Sequence, residues 1–178
     1  MILSDSAIQL LINDGKIVIE PFRKECLGTN SYDVHLSKHF AVYTNQIIDA
    51  KQDNEIERFI IPKEGFILYP NMLYLGATEE YTETHGCVPF LEGKSSVGRL
   101  GIDIHATAGK GDAGFCNFWT LELSTKQPVR IYPGMPIGQL IYFQIFGDIN
   151  VPYNKKESAK YTKRDHLPMG SAMFKNNF

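Results

Sequence analysis

Cysteine is scarce in this chain. Cys26, Cys87 and Cys116 are the only three among 178 residues, widely spaced and with no CxxC. An odd, scattered set excludes a disulfide scaffold and reads as reduced thiols in a cytoplasmic protein. Long apolar runs are missing as well: no stretch of about 18 apolar residues occurs, so no transmembrane helix is expected. The opening MILSDSAIQLLINDGK lacks a basic leader region and contains acids, so it is not expected to act as a signal peptide. Charge of one sign is also lacking. Eighteen Lys and Arg against 20 Asp and Glu give a formal net charge of −2, too little for a coat on polymeric nucleic acid. The strings GxSxG and HExxH are absent, and so are the Walker A loop GxxxxGK[ST] and the H-x-E plus P-C-x-x-C pair of zinc deaminases.

What is present suits a folded chain, with 43% hydrophobic and 21% charged residues. A helix is predicted after Ser4, a plausible N-cap. Asp5 sits in its first turn, Ile8, Leu11 and Ile12 recur at helical spacing, and Gly15 is the stop. KIVIE, ending at Pro21, alternates as a short strand. From Ser31, the run SYDVHLSKHFAVY sets Tyr32, Val34 and Leu36 against Asp33, His35 and Ser37, a half-buried strand pattern. His35 and His39 share one face of that strand but stand too far apart for a metal signature. The polar stretch Asn45–Arg58 reads as a solvated loop. Beyond it, FIIP, FILYP, MLYLGATEEYTE, GCVPFLEG, GIDIHATA, FWTLELST, VRIYPG and IGQLIYFQIF form a series of short strands punctuated by Gly and Pro. This predicts a mainly β sandwich or barrel with a short N-terminal helix, rather than alternating βαβ units. Residues 148–178 differ in texture, with five Lys and Arg from Lys155 to Arg164. They read either as a solvated tail or as a cover that orders over an anionic ligand.

The segment EGKSSVGRLGIDIHATAGKGDAGFCNFWTLE, residues 92–122, concentrates hydroxyls, cations, carboxylates and glycines. GKSSVGR offers hydroxyls, backbone N–H groups and two cations, a set suited to phosphate oxygens, although a surface turn can look the same. Asp112 in GDAG is either a turn former or a carboxylate for a sugar hydroxyl, a metal or a water. Glu122 interrupts an apolar strand and points away from the face of Leu121 and Leu123. If that face is enclosed, burial raises its pKa and suits it to taking and returning a proton; if open, it is an ordinary surface Glu.

Five ordered blocks carry a resemblance. MILSDSAIQLLI and NSYDVHL, GKSSVGRLG, HATAGKGDAGFCNFWTLEL, YPGMPIGQLIYF and YNKKESAKY are similar to blocks of the dCTP deaminases of the trimeric dUTPase-like superfamily. The resemblance implies one dUTPase-like domain over residues 1–178, a distorted, jelly-roll-like β-barrel, with 148–178 closing over the active site. It also implies a homotrimer with interfacial sites. The implied reaction is hydrolytic deamination of dCTP to dUTP and ammonia without zinc, with Mg²⁺ bound alongside the triphosphate.

By the same resemblance, Glu122 activates the attacking water and returns the proton, with Ser95 and Arg99 beside it. Lys94, Ser96 and Gln139 meet the phosphates, and Asp112 meets the 3′-hydroxyl with Phe115 near the sugar. The backbone around Ala106 and Ala108 reads the cytosine edge, and Tyr153 and Lys160 close from the tail. Lys94 replaces the family's usual Arg, Asn117 a frequent Gly, and Arg164 a frequent Gln. The string TAG at Thr107–Gly109 resembles bifunctional relatives that deaminate dCTP and then cleave to dUMP and pyrophosphate, the alternative outcome.

Overall fold

The computed structural model describes residues 1–105 and 107–178. Helix α1 (Asp5–Asn13) begins where the sequence places it, with the Ser4 hydroxyl accepting from the Ala7 N–H at 3.4 Å. It ends in the left-handed Gly15, φ 67°. Strand β1 (Ile17–Glu20) follows. Strand β2 (Tyr32–Tyr43) matches the predicted run. Strand β3 (Ile56–Ile60) starts inside the stretch read as loop, because pairing with the far half of β2 overrides the polar composition. Strands β4 (Phe66–Leu68), β5 (Tyr74–Thr84) and β6 (Cys87–Gly93) come next. A one-turn helix, α2 (Ser95–Gly98), occupies the hydroxyl-rich string, where a surface turn was the plain expectation. Among the described residues of GIDIHATA, Ile102–Asp103 form a strand, β7. Strands β8 (Cys116–Thr125), β9 (Val129–Ile131) and β10 (Pro136–Gln144) complete the set.

The main sheet runs β6-β10-β2-β5-β8-β7, with β1 on β5 and β3 on β2; β4 and β9 form a separate pair. Among the described residues the named strands pair antiparallel throughout. The chain beyond β7 returns to the opposite edge, where Leu91 N–H donates to Gly109 O at 2.7 Å and Gly111 N–H to Pro89 O at 2.8 Å. The sheet thereby nearly closes into a barrel, which removes most of its free edge. The mainly β barrel with a short helix expected from the sequence is what the chain forms.

The core is the inner face of this barrel. Tyr32, Val34, Leu36, Phe40, Leu121, Leu123, Ile137 and Tyr142 are fully buried there. Phe40, Phe59, Phe66 and Tyr74 pack ring against ring at 5.3 to 6.1 Å between centroids, fastening the β4-β9 pair to the barrel. Both β2 and β8 slip in register against β5, between Leu36 and Phe40 and between Ala77 and Tyr81. The irregularity lets Glu80 turn inward, where its carboxylate accepts from Arg23, from His35 N–H and from the His35 ring. His35 is therefore spent on Glu80, while His39 stacks edge-on to His166, 5.1 Å away.

Strand β8 alternates strictly between buried and half-buried residues, which fixes its inner and outer faces. Leu121→Ala should cost about 2–5 kcal/mol of stability. Ser124→Ala, on the other face, should stay within about 0.5 kcal/mol. Denaturant midpoints at constant slope check both.

Candidate functional site

Glu122 lies on the outer face of β8, as the alternation predicts, and that face is not open to water around it. Its cross-strand partner Leu75 is 3% exposed, and Ala41, next along the row on β2, is fully buried. Burial pushes the Glu122 carboxyl above the ordinary carboxylate range, and the nearby His105 pulls it partly back. Among the described residues no ion pair joins Glu122 to Arg99. A carboxyl raised by desolvation is suited to exchanging a proton.

Lys94, Ser95, Ser96 and Arg99 sit on and beside α2. Ser95, Ser96 and Arg99 are exposed, and buried Val97 holds the turn to the barrel. The Lys94 ammonium pairs with Asp33. Gln139 on β10 is the register partner of both Asp33 and Glu92, and it accepts from the Ser31 hydroxyl at 3.3 Å. One row of strand residues thus brings Lys94 and Gln139, two expected phosphate contacts, to the same place.

Asp112, Phe115 and Tyr153 form a second group. The Asp112 carboxylate pairs with Lys110, and its carbonyl closes a turn by accepting from Phe115 N–H at 3.0 Å. Phe115 packs on Trp119 and Tyr153, with centroids 4.9 and 5.9 Å away. Gly114, at φ 89°, leaves no room for a side chain: an added Cβ would lie 2.8 Å from Pro152 Cβ and from Tyr153 N. Tyr153 N–H donates to Ala113 O at 2.8 Å. Lys160 lines a cleft of about 510 Å³ between β3 and the last residues, with Asp53, Arg58 and Lys175. Ala108 is exposed, and Ala106 lies outside the described residues.

Sequence reasoning undervalued Asn117. Its side chain is fully buried and anchors the tail through three contacts. The amide donates to Tyr161 O at 3.2 Å and Lys163 O at 2.9 Å, and the oxygen accepts from Asp165 N–H at 3.0 Å. Arg164, the other departure, lies 3.7 Å over the Tyr81 ring and reaches Glu20 at 3.4 Å. Further on, Met169 N–H donates to the Thr120 hydroxyl and Ser171 N–H to the Tyr43 hydroxyl, at 3.1 and 2.8 Å. Thr120 is two residues before Glu122 on the same face, so the tail runs along the strand that carries the carboxyl. Alternation placed Asn117 on the same face as Trp119, Leu121 and Leu123, which, with its departure from the family's frequent Gly, was the sequence signal for it.

The family model for dCTP deaminase-like proteins matches residues 2–145. A protein of Clostridium acetobutylicum named "dCTP deaminase, dUMP-forming" is 47% identical over 161 residues, covering 90% of each chain. One from Clostridium botulinum with the same name is 46% identical over 176 residues, covering 99% of this chain and 98% of the relative. Among solved structures, 2′-deoxycytidine 5′-triphosphate deaminase from Agrobacterium tumefaciens superposes with a TM-score of 0.63 at 20% identity. It matches 79% of this chain, which spans about half (47%) of that one. That likeness concerns the fold.

Two outcomes follow from the geometry. The raised Glu122 carboxyl binds its proton more tightly folded than unfolded, so stability falls as pH rises from the ordinary carboxylate range through its raised pKa. Glu122→Gln should therefore be more stable than the parent at neutral pH, with the gap closing in acid; melting temperatures across pH check this. Asn117→Gly should free the tail, at a cost of about 1–3 kcal/mol for the buried groups it leaves unpaired. Limited proteolysis should then cut within residues 155–170 several times faster.

Proposed function

The chain belongs to the dCTP deaminase-like family, and from that premise we propose that it deaminates dCTP and goes on to release dUMP and pyrophosphate. The observation that carries the chemistry is the Glu122 carboxyl, raised by burial on an enclosed face of β8. The end product is read from the relatives named as dUMP-forming, which favours the bifunctional outcome over release of dUTP. The TAG string at Thr107–Gly109 agrees with it.

In the first step Glu122 takes a proton from water as the oxygen bonds to C4 of the cytosine ring, the N3=C4 electron pair moves to N3, and N3 receives that proton from the carboxyl. The same carboxyl then carries the second proton from the new 4-hydroxyl to the 4-amino nitrogen, the C4–N bond breaks as C4=O forms, and ammonia leaves a uracil ring. One carboxyl serves as base and then acid, which suits a carboxyl whose pKa burial has raised. In the second step a further water bonds to the α-phosphorus while the bond to the bridging oxygen breaks, giving dUMP and pyrophosphate. Lys94, Ser96 and Gln139 receive phosphate oxygens, Asp112 the 3′-hydroxyl, and Phe115 the sugar face. The backbone about Ala106 and Ala108 reads the base edge. Tyr153 and Lys160 bring the tail over the triphosphate.

Mg²⁺ accompanies the triphosphate. Phosphate oxygens and water are the hard ligands it takes, and the neighbouring groups are donors rather than a carboxylate cage, with Asp33 already engaged by Lys94. The cation's contribution is to neutralise charge on the phosphates.

The exposed Ser95 and Arg99 have no contact with Glu122 within one chain among the described residues. This supports a homotrimer in which α2 of one copy faces β8 of the next. Arg99 then orients the Glu122 carboxyl, and Ser95 offers a hydroxyl for the water.

Incubating the chain with dCTP and Mg²⁺ and separating the nucleotides tests the reading. Ammonia, dUMP and pyrophosphate in equal amounts are expected. Accumulating dUTP would return the reading to simple deamination, and unchanged dCTP would contradict both.

A further inference from the structure

Where β5 meets β8, at the opposite end of β8 from Glu122, a cluster of one carboxylate, one imidazole and one thiol has no part in the chemistry above. Glu83 and Cys116 are direct register partners across that antiparallel pair, so their side chains leave the same face side by side. His85 follows Glu83 by two residues and returns to it, with Nε2 3.0 Å from Glu83 Oε2. The ligand atoms of Glu83, His85 and Cys116 all lie within 4.8 Å of one another. We propose that these three residues form a binding site for one borderline-soft divalent cation of the Zn²⁺ class, separate from the Mg²⁺ that travels with a nucleotide.

The spacing is close to what such an ion needs. Zinc bonds of about 2.0–2.3 Å to oxygen, nitrogen and sulfur set tetrahedral edges of roughly 3.3–3.7 Å. Closing the triad thus takes a side-chain adjustment of about 1 Å. The backbone beneath is held: Thr84 N–H donates to Phe115 O at 3.1 Å and Gly114 N–H to Thr84 O at 2.6 Å. The carboxylate is oriented from behind, because its other oxygen accepts from the Tyr81 hydroxyl at 2.8 Å. Such outer bonds orient ligands in built metal sites. The side chains of His85 and Glu83 are 38% and 30% exposed, so an ion can enter and keep water in its fourth position. On binding, the Cys116 thiol gives its proton to solvent and the thiolate bonds the metal, releasing its present contact with Gly114 O. A thiolate and an imidazole select against Mg²⁺ and Ca²⁺. Cys116 sits between Phe115 and Asn117, which touch the tail through Tyr153 and Tyr161. Filling the site therefore ties the two strands together at the tail's seat.

Co²⁺ titrated into the metal-free, full-length protein tests this. A thiolate-to-cobalt charge-transfer band should grow to about one equivalent per chain and be abolished by added Zn²⁺. Cys116→Ser should remove the band, and His85→Ala should weaken binding by more than about tenfold. Tyr81→Phe should weaken it by about tenfold, as expected for loss of an outer bond. Cys26→Ser and Cys87→Ser should leave the band unchanged. Zn²⁺ should also raise the melting temperature of the parent and not of Cys116→Ser. No thiolate band, or one that survives Cys116→Ser, would overturn the site. None of these readouts depends on turnover, so they stand apart from the proposed reaction.

Discussion

The antiparallel pairing of β5 with β8 is the contact on which the rest depends. It sets which residues of β8 turn inward and which outward, because side chains in a strand alternate strictly. Leu121 and Leu123 are thereby fixed in the core, and Glu122 between them is fixed on the outer face opposite Leu75. The same pairing carries the register slip at Ala77/Tyr81, which lets Glu80 reach inward to Arg23 and His35. A one-residue slip of β8 would bury Glu122 among leucines and expose the core, so register and chemistry are held by one interaction.

The tail depends on β8 as well. Its docking uses barrel side chains against tail backbone, with Asn117 and Thr120 on β8 and Tyr43 on β2. Tail side chains add Tyr153 on Phe115, Arg164 over Tyr81 and His166 against His39. Backbone-directed bonds tolerate variation in the tail while holding its path.

Much of this was legible in the sequence, for identifiable reasons. Helix α1 was readable because Ser4, the apolar spacing and Gly15 all act locally. The outward aim of Glu122 was readable because period two needs no tertiary information. The start of β3 inside a polar stretch was not, since only its partner strand β2 makes Ile56–Arg58 extend. Nor was the role of Asn117, whose partners lie more than 40 residues further along the chain. The cluster of Glu83, His85 and Cys116 escaped notice for the same reason: its ligands are joined by register and not by spacing. The grouping of Lys94 with Gln139 needed the resemblance to suggest it and the strand row to place it.

The account turns on a single carboxyl moving a proton at C4. The most direct measurement is dCTP turnover by Glu122→Gln, with dCTP binding measured on the same preparation. The account predicts a loss of deamination of about a thousandfold or more, with dCTP affinity changed only a few-fold. Turnover near that of the parent, with binding intact, would contradict it.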